Sequence, residues 1–276
     1  MKKFKVGLQL YSVRWQMEED MEATLKAVAE MGYDCVEFAG YYDKSPEYIE
    51  SLLEKYGLKC YSVHQNIASY FNEPEKYLSY LKAVGAKYSV IPWNKKEILQ
   101  TTKGFEDFKN DVIKGGTFMN DNGFQLLYHN HDFEFFNLDG GLIFDRLYSE
   151  VSEEYINPQI DTCWVKYAGY DPCEYLEKYS GRVPVVHLKD FTCKQFANGP
   201  VYALIDENGN EIKNDKEANG FEFKPLGEGI QDIPAIIEAA EKAGSEILIV
   251  EQDNFTENDP MKNAKISREY LKSIGY

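Results

Sequence analysis

Paired cysteines, long apolar runs and an excess of basic residues are all missing from this sequence, and each lack removes a class of protein. The five cysteines, at 35, 60, 163, 173 and 193, are odd in number, scattered and never spaced C-x-x-C. That argues against a disulfide framework or a zinc knuckle and predicts reduced core residues of a cytoplasmic protein. The longest purely aliphatic stretch is "ILIV" at 247–250, far short of the roughly 20 apolar residues that cross a bilayer. The opening "MKKFKVGLQLYSVR" has no sustained apolar region before Gln9, Ser12 and Arg14, so it does not read as a signal peptide. Acids outnumber bases 46 to 30, for a net charge of −16. Such a field repels a phosphate backbone, so neither nucleic acid nor a membrane is an expected partner. No linker, low-complexity tract or charge block divides the 276 residues, which predicts one domain over 1–276.

What is present is a recurring phrase. Gly32 precedes "YDCVEF", Gly57 "LKCYSVH", Gly85 "AKYSVIP", Gly123 "FQLLYH", Gly181 "RVPVVHL" and Gly244 "SEILIVE". Each glycine follows a helix-like segment and suits the left-handed residue that ends a helix. Each is followed by a short Val-, Ile- and aromatic-rich run, as a buried parallel strand should be. "KVGLQLY" and "NPQID" (157–161) add two strands without the glycine. Eight β-α units at roughly thirty-residue spacing predict an α/β fold, a single-domain (β/α)8 TIM barrel. A doubly wound open sheet is the runner-up, but no glycine-rich phosphate loop follows the first strand.

One unit breaks the rhythm. After the seventh strand an insertion of about 191–229 contains "VYALIDENGNEIKN", whose Asn-Gly between apolar flanks predicts a hairpin. At the barrel mouth it would be a lid, a subunit contact or, as most insertions are, decoration. It ends in "LGEGI", where Gly227 and Gly229 make either a phosphate loop or a plain turn.

Histidine is scarce, yet all four fall at or just beyond the end of a predicted strand: His64, His129, His131 and His187. Glu37, Asp161 and Glu251 also end strands. In a barrel those ends share one rim, where catalytic groups gather. A lone strand-end histidine is ordinarily a hydrogen-bonded structural residue, and Asp161 before Thr162 reads equally as a helix cap. The joint pattern, with no histidine on any helix or in the insertion, favours a site. Imidazoles with carboxylates and no rim cysteine suit one divalent ion such as Mn, Mg, Co or Zn. Asp161, His187 and Glu251 are the expected ligands. The fourth comes from "YHNHDFEF" (128–135): His129 holds the strand-end place, and Glu134 is the alternative that reaches back from the loop.

Seven segments in order, "GLQLYSVR" (7–14), "GYDCVEFAG" (32–40), "YHNHDFEF", "IDTCWV" (160–165), "VVHLKDF" (185–191), "PLGEGIQDIPAII" (225–237) and "ILIVEQD" (247–253), run along nearly the whole chain. Together they resemble the xylose-isomerase-like TIM barrels, a superfamily of sugar-phosphate isomerases and epimerases, inosose dehydratases and endonuclease IV. The resemblance implies one divalent metal held by a strand-5 Glu, a strand-6 Asp, a strand-7 His and a strand-8 Glu. Asp161, His187 and Glu251 match the last three. At strand 5, where epimerase-like members read Glu-Asn-His, this chain reads His129-Asn130-His131. That departure removes one of the two opposed acid/base groups of an epimerase. Inosose dehydratases resemble this chain in their histidine-rich strand 5.

The expected activity is therefore a metal-dependent isomerase or epimerase of a free or phosphorylated keto sugar or polyol, working through an enediolate. The alternative is an inosose dehydratase-like or 3-keto-glycoside lyase, and a third reading is a non-catalytic sugar-binding barrel. His131 or Glu251 is the expected base. Lys189 is an oxyanion stabiliser or a solvated rim lysine, and Glu37 binds a sugar hydroxyl or orients another group. Of the substrate-side candidates His64, Trp15, Trp93 and Trp164, one tryptophan is expected to stack on the sugar ring and the others to be core. The partner is a small carbohydrate or polyol. Relatives of this kind often form dimers or tetramers, so the resemblance allows a homo-oligomer.

Overall fold

A computed structural model describes residues 4–194, 196, 219–255 and 259–276. Eight parallel strands close into a barrel: β1 (Lys5–Gln9), β2 (Cys35–Phe38), β3 (Lys59–His64), β4 (Tyr88–Ile91), β5 (Gln125–His129), β6 (Asn157–Asp161), β7 (Val185–Leu188) and β8 (Ile247–Val250). β1 pairs with both β2 and β8, which completes the ring. All eight coincide with the predicted runs. The six repeat glycines sit at φ between 69° and 88°, the left-handed region that lets a helix stop and the chain turn into the next strand. Helix starts are set by side chains as well: Asp20, Ser45, Thr101, Asp171, Asp232 and Asp259 each accept a backbone N–H of the first turn.

The period of two along each strand divides the residues. Outward positions such as Val6, Val36, Leu126, Ile160, Val186 and Leu248 join the large core between sheet and helices. Inward positions form a second apolar cluster of Cys35, Tyr88, Val90, Leu127, Val185, Ile247 and Ile249. Cys35, Leu127, Val185 and Ile249 each lie two residues before Glu37, His129, His187 and Glu251. An apolar layer thus floors a polar one at the carboxyl-terminal end. Gly7 belongs to the floor, where a Cβ would lie 2.6 Å from Ile249 Cδ1 and 2.7 Å from Cys35 Sγ.

β3 would break this parity without a bulge. Cys35 pairs with Lys59, but Glu37 pairs with Ser62, so the register shifts by one residue. Tyr61 packs on the inner cluster while Val63 joins the outer core. The slip turns Ser62 and His64 inward, the kind of re-aiming that bulges provide beside functional sites.

The insertion is tied down at its base, where Asp190–Thr192 pairs antiparallel with Glu222–Lys224. The hairpin expected at 201–214 lies outside the described residues. Phe191, Phe221 and Phe223 pack with Trp164 and Tyr167 over the helix that follows β6, so the base of the insertion is built into the mouth. A ribbon not anticipated from sequence, Asn137–Leu138 with Gly141–Leu142, turns through Asp139 and Gly140 at φ 52° and 92°. Its Asp-Gly signal was legible but short. Cys35, Cys60 and Cys163 are buried and all five cysteines are free, but Cys173 and Cys193 are only half-buried and so not core residues as expected. Among the described residues no helix is long and apolar enough to cross a membrane.

Candidate active site

The inward polar layer gathers residues from seven strands. Ligand atoms of His129, Asp161, His187 and Glu251 lie within 4.8 Å of one another, all buried. His129 Nε2 is 3.5 Å from Asp161 Oδ2, and His187 Nδ1 is 2.8 Å from Glu251 Oε2. Donors bound at about 2.0–2.2 Å to one ion stand roughly 3–4 Å apart, so this spacing is of the right order for a single cation. His64, His129 and His187 form an overlapping group, but His64 Nε2 is committed to Gln159 Oε1 at 2.8 Å and Glu37 Oε1 at 3.0 Å.

A hydrogen-bond network behind the donors fixes which nitrogen each ring presents. Gln159 donates through Nε2 to Glu37 Oε2 at 2.7 Å, which leaves its Oε1 to accept from His129 Nδ1 at 3.0 Å. That bond holds the proton on Nδ1 and turns the bare Nε2 toward Asp161. Glu37 Oε1 takes His187 Nε2 at 2.7 Å and Gln9 Nε2 at 2.7 Å, leaving His187 Nδ1 facing Glu251. Acceptors of this kind behind ligating imidazoles set tautomer and orientation. Two oriented imidazoles and two carboxylates therefore suit a divalent cation, and together with it they would be charge-neutral.

The electrostatics agree. Burial, reinforced by the neighbouring histidines, holds His129 well below its ordinary value, so it is a neutral nitrogen donor. Burial also opposes charge on His187, but Glu37 and Glu251 on its two nitrogens outweigh that and push it up to about 10. A cation at Nδ1 would displace that proton, as metal binding generally does. Burial alone would raise Glu37 and Glu251. His64 and His187 hold Glu37 well below the carboxylate range, and Lys189 and His187 do the same for Glu251.

Several expected roles change. Glu134 does not reach the cluster: one oxygen accepts the His131 N–H at 2.8 Å and the other bonds to the Tyr128 hydroxyl. It builds the loop, and His129 alone represents strand 5 among the grouped donors. Glu37 is fully buried with four side-chain donors on its carboxylate, which fits orienting the histidines and leaves no face for a sugar hydroxyl. Lys189 is 1% exposed and so is not a solvated rim lysine. Trp164 is fully buried, stacked on Phe221 at 5.6 Å and 9°, and offers no open platform. Trp15 and Trp93 are both about half exposed rather than core. His131 is wedged against Phe133 at 5.3 Å, with Trp164 at 5.9 Å. Burial and Lys189 keep its ring neutral.

Sequence reasoning missed Gln9, Gln159 and Asp253. The available signal was parity: Gln159 lies two residues before Asp161, and Asp253 two after Glu251. It also left "LGEGI" open. The Asp190 carboxylate accepts the backbone N–H groups of Phe191, Gly227, Gly229 and Gln231 at 2.9–3.1 Å. A side chain of the protein itself occupies that nest, so the loop is a turn tied to β7.

Glu134 gives a stability prediction. Burial pushes its carboxyl up to about 8 against bonds from Tyr128 and His131. Because the folded value is raised, the folded state keeps a proton that the unfolded state gives up. The contribution of Glu134 to stability is then full below about pH 4.5 and is lost as pH rises toward 8, by up to about 4 kcal/mol. Glu134→Gln copies the protonated form. Urea unfolding at pH 5 and pH 8 should show the variant gaining on the wild type as pH rises, and parallel profiles would contradict the assignment.

Fold and site together define a TIM barrel with a candidate metal centre, among the described residues, at its carboxyl-terminal mouth. The chain belongs to the xylose isomerase-like TIM barrel family, whose model matches residues 25–274. An inosose dehydratase of Mesomycoplasma hyopneumoniae is 24% identical over 279 residues, covering 92% of this chain and 88% of that protein. A sugar phosphate isomerase/epimerase from Parabacteroides distasonis superposes with a TM-score of 0.76 at 18% identity, over 100% and 96% of the two chains. The IOLI protein with a bound zinc atom superposes at 0.68 and 14% identity, over 98% and 97%.

Proposed function

We propose that this chain is a metal-assisted lyase acting on an unphosphorylated cyclic keto-polyol or keto-sugar. It would remove the proton beside the carbonyl and expel an oxygen substituent from the adjoining carbon. The observation that carries this reading is the pair of groups beside the four donors: the His131 ring, 5.3 Å from that of His129 and held below its ordinary value by burial, and the Lys189 ammonium, 2.9 and 3.0 Å from Asp161 and Glu251. One is a base and the other an acid, as an elimination requires. Epimerisation by a pair of glutamates is not favoured, since Glu134 is turned into its loop and Glu37 already holds four side-chain donors.

His129, Asp161, His187 and Glu251 would hold the ion, which supplies polarisation of the substrate carbonyl. His131 takes the α-proton, and the C–H electron pair moves into the carbon framework. The bond from the β-carbon to its oxygen then breaks, and Lys189 delivers the proton with which that oxygen leaves as water or an alcohol. Asp190, by occupying the loop amides that would cradle a phosphate, supports an uncharged substrate. Relatives named inosose dehydratase support the same reaction class.

An isomerase or epimerase shares the first step and differs in its end, with Lys189 or His131 returning the proton to carbon. Proton NMR in D₂O separates them. Keto-sugars, inososes and 3-keto-glycosides are incubated with the enzyme and Mn²⁺. An unsaturated product that has lost water or an alcohol is expected. A product of unchanged formula carrying deuterium beside the carbonyl would transfer the assignment to the isomerases.

A further inference from the structure

Lys189 and Asp253 stand beside the four donors without belonging to them. Lys189 lies two residues beyond His187, so strand parity carries both side chains inward. Its Nζ is 2.9 Å from Asp161 Oδ2 and 3.0 Å from Glu251 Oε2. These are the oxygens that approach His129 Nε2 and His187 Nδ1. On its other side Nζ is 3.1 Å from both carboxylate oxygens of Asp253. Trp164 and Phe223 wall it in, with ring centroids 5.3 and 5.7 Å away.

The ammonium therefore already sits on two oxygens that a divalent ion would use. Without a positive charge there, Asp161, Glu251 and Asp253 would repel one another in a buried space. With a divalent ion there as well, two cations would share the same oxygens at short range and low dielectric. Asp253 resolves the conflict, since it offers the ammonium a carboxylate outside the donor set.

We propose that Lys189 is a built-in counter-cation that holds the ligand carboxylates together before metal arrives, and that Asp253 is the seat onto which it withdraws when metal binds. This rests on the reading that the four donors hold a metal. Asp253 is then a positioning residue that sets metal affinity through Lys189.

The test is a double-mutant cycle on the full chain, stripped with chelator and titrated calorimetrically with Mn²⁺ or Zn²⁺ alone. Lys189→Met removes the competing cation. Its metal should bind at least about tenfold more tightly, while the metal-free variant melts several degrees lower and recovers when metal is added. Asp253→Asn denies the ammonium its seat and should weaken metal binding by about tenfold or more. In the Lys189→Met background the Asp253→Asn effect should disappear. If Lys189→Met does not fold, Lys189→Gln carries the same cycle. Weaker binding by the lysine variant overturns the proposal, and so does an Asp253→Asn effect that persists without the lysine. A wild type and lysine variant that both take up no metal would instead remove the metal centre on which the proposal rests.

Discussion

Asp161→Asn should lower turnover by at least about 10³-fold, because it removes charge from the proposed metal-binding set and from the Lys189 ion pair in one change. The substitution isolates charge from shape. Asp161 Oδ1 caps the helix after β6 by accepting the Cys163 and Trp164 N–H groups at 2.9 and 3.2 Å, and an asparagine oxygen keeps that cap. The lost atom is Oδ2, which faces His129 Nε2 and Lys189 Nζ. Metal affinity, read by calorimetry or by retained metal after gel filtration, should fall with activity while the circular dichroism spectrum stays unchanged. Full activity in this variant would remove Asp161 from the centre. Unchanged metal content with lost activity would leave it a substrate contact only.

His131→Asn should lower kcat by about 10²- to 10⁴-fold, the range associated with a positioned general base. Metal affinity should stay within a few fold of the wild type, since His131 is not among the grouped donors. KM should change little, because proton removal is an interaction of the transition state, and the packing of the ring against Phe133 and Trp164 is independent of ground-state binding. The split between the two variants is the informative result: Asp161→Asn loses metal and turnover together, and His131→Asn loses turnover alone. Solvent-deuterium exchange into the α-position should vanish with the second. Exchange that survives at the wild-type rate would assign the base elsewhere, with Glu251 next in line.

Much of this architecture is legible in the chain because it depends on short-range patterns. A helix that must stop and turn into a buried strand requires a residue at positive φ, and six glycines in that role announce six units. Strand ends follow from where the apolar runs stop, so the arrival of His64, His129, His187, Asp161 and Glu251 at one rim could be read before any coordinates. The ribbon at Asn137–Leu142 escaped because two-residue strands leave too little pattern to read.

The roles were less legible than the positions. Whether Glu134 reaches the cluster depends on Tyr128 and the His131 N–H competing for its oxygens. Nothing in the spacing of "YHNHDFEF" expresses that competition. Whether His64 faces inward depends on a register shift against β2, and whether Lys189 is solvated depends on aromatic residues from the helix after β6 and from the insertion. The sequence by itself determined the barrel, its closure and the rim on which the polar side chains would meet, because helix stops, apolar runs and strand parity are local properties. Only the tertiary structure decided which atom of each side chain remains to do chemistry. Those commitments are hydrogen bonds between distant residues, such as Glu37 with His187 across 150 positions, and a buried donor or acceptor takes whichever partner the closed barrel brings within reach.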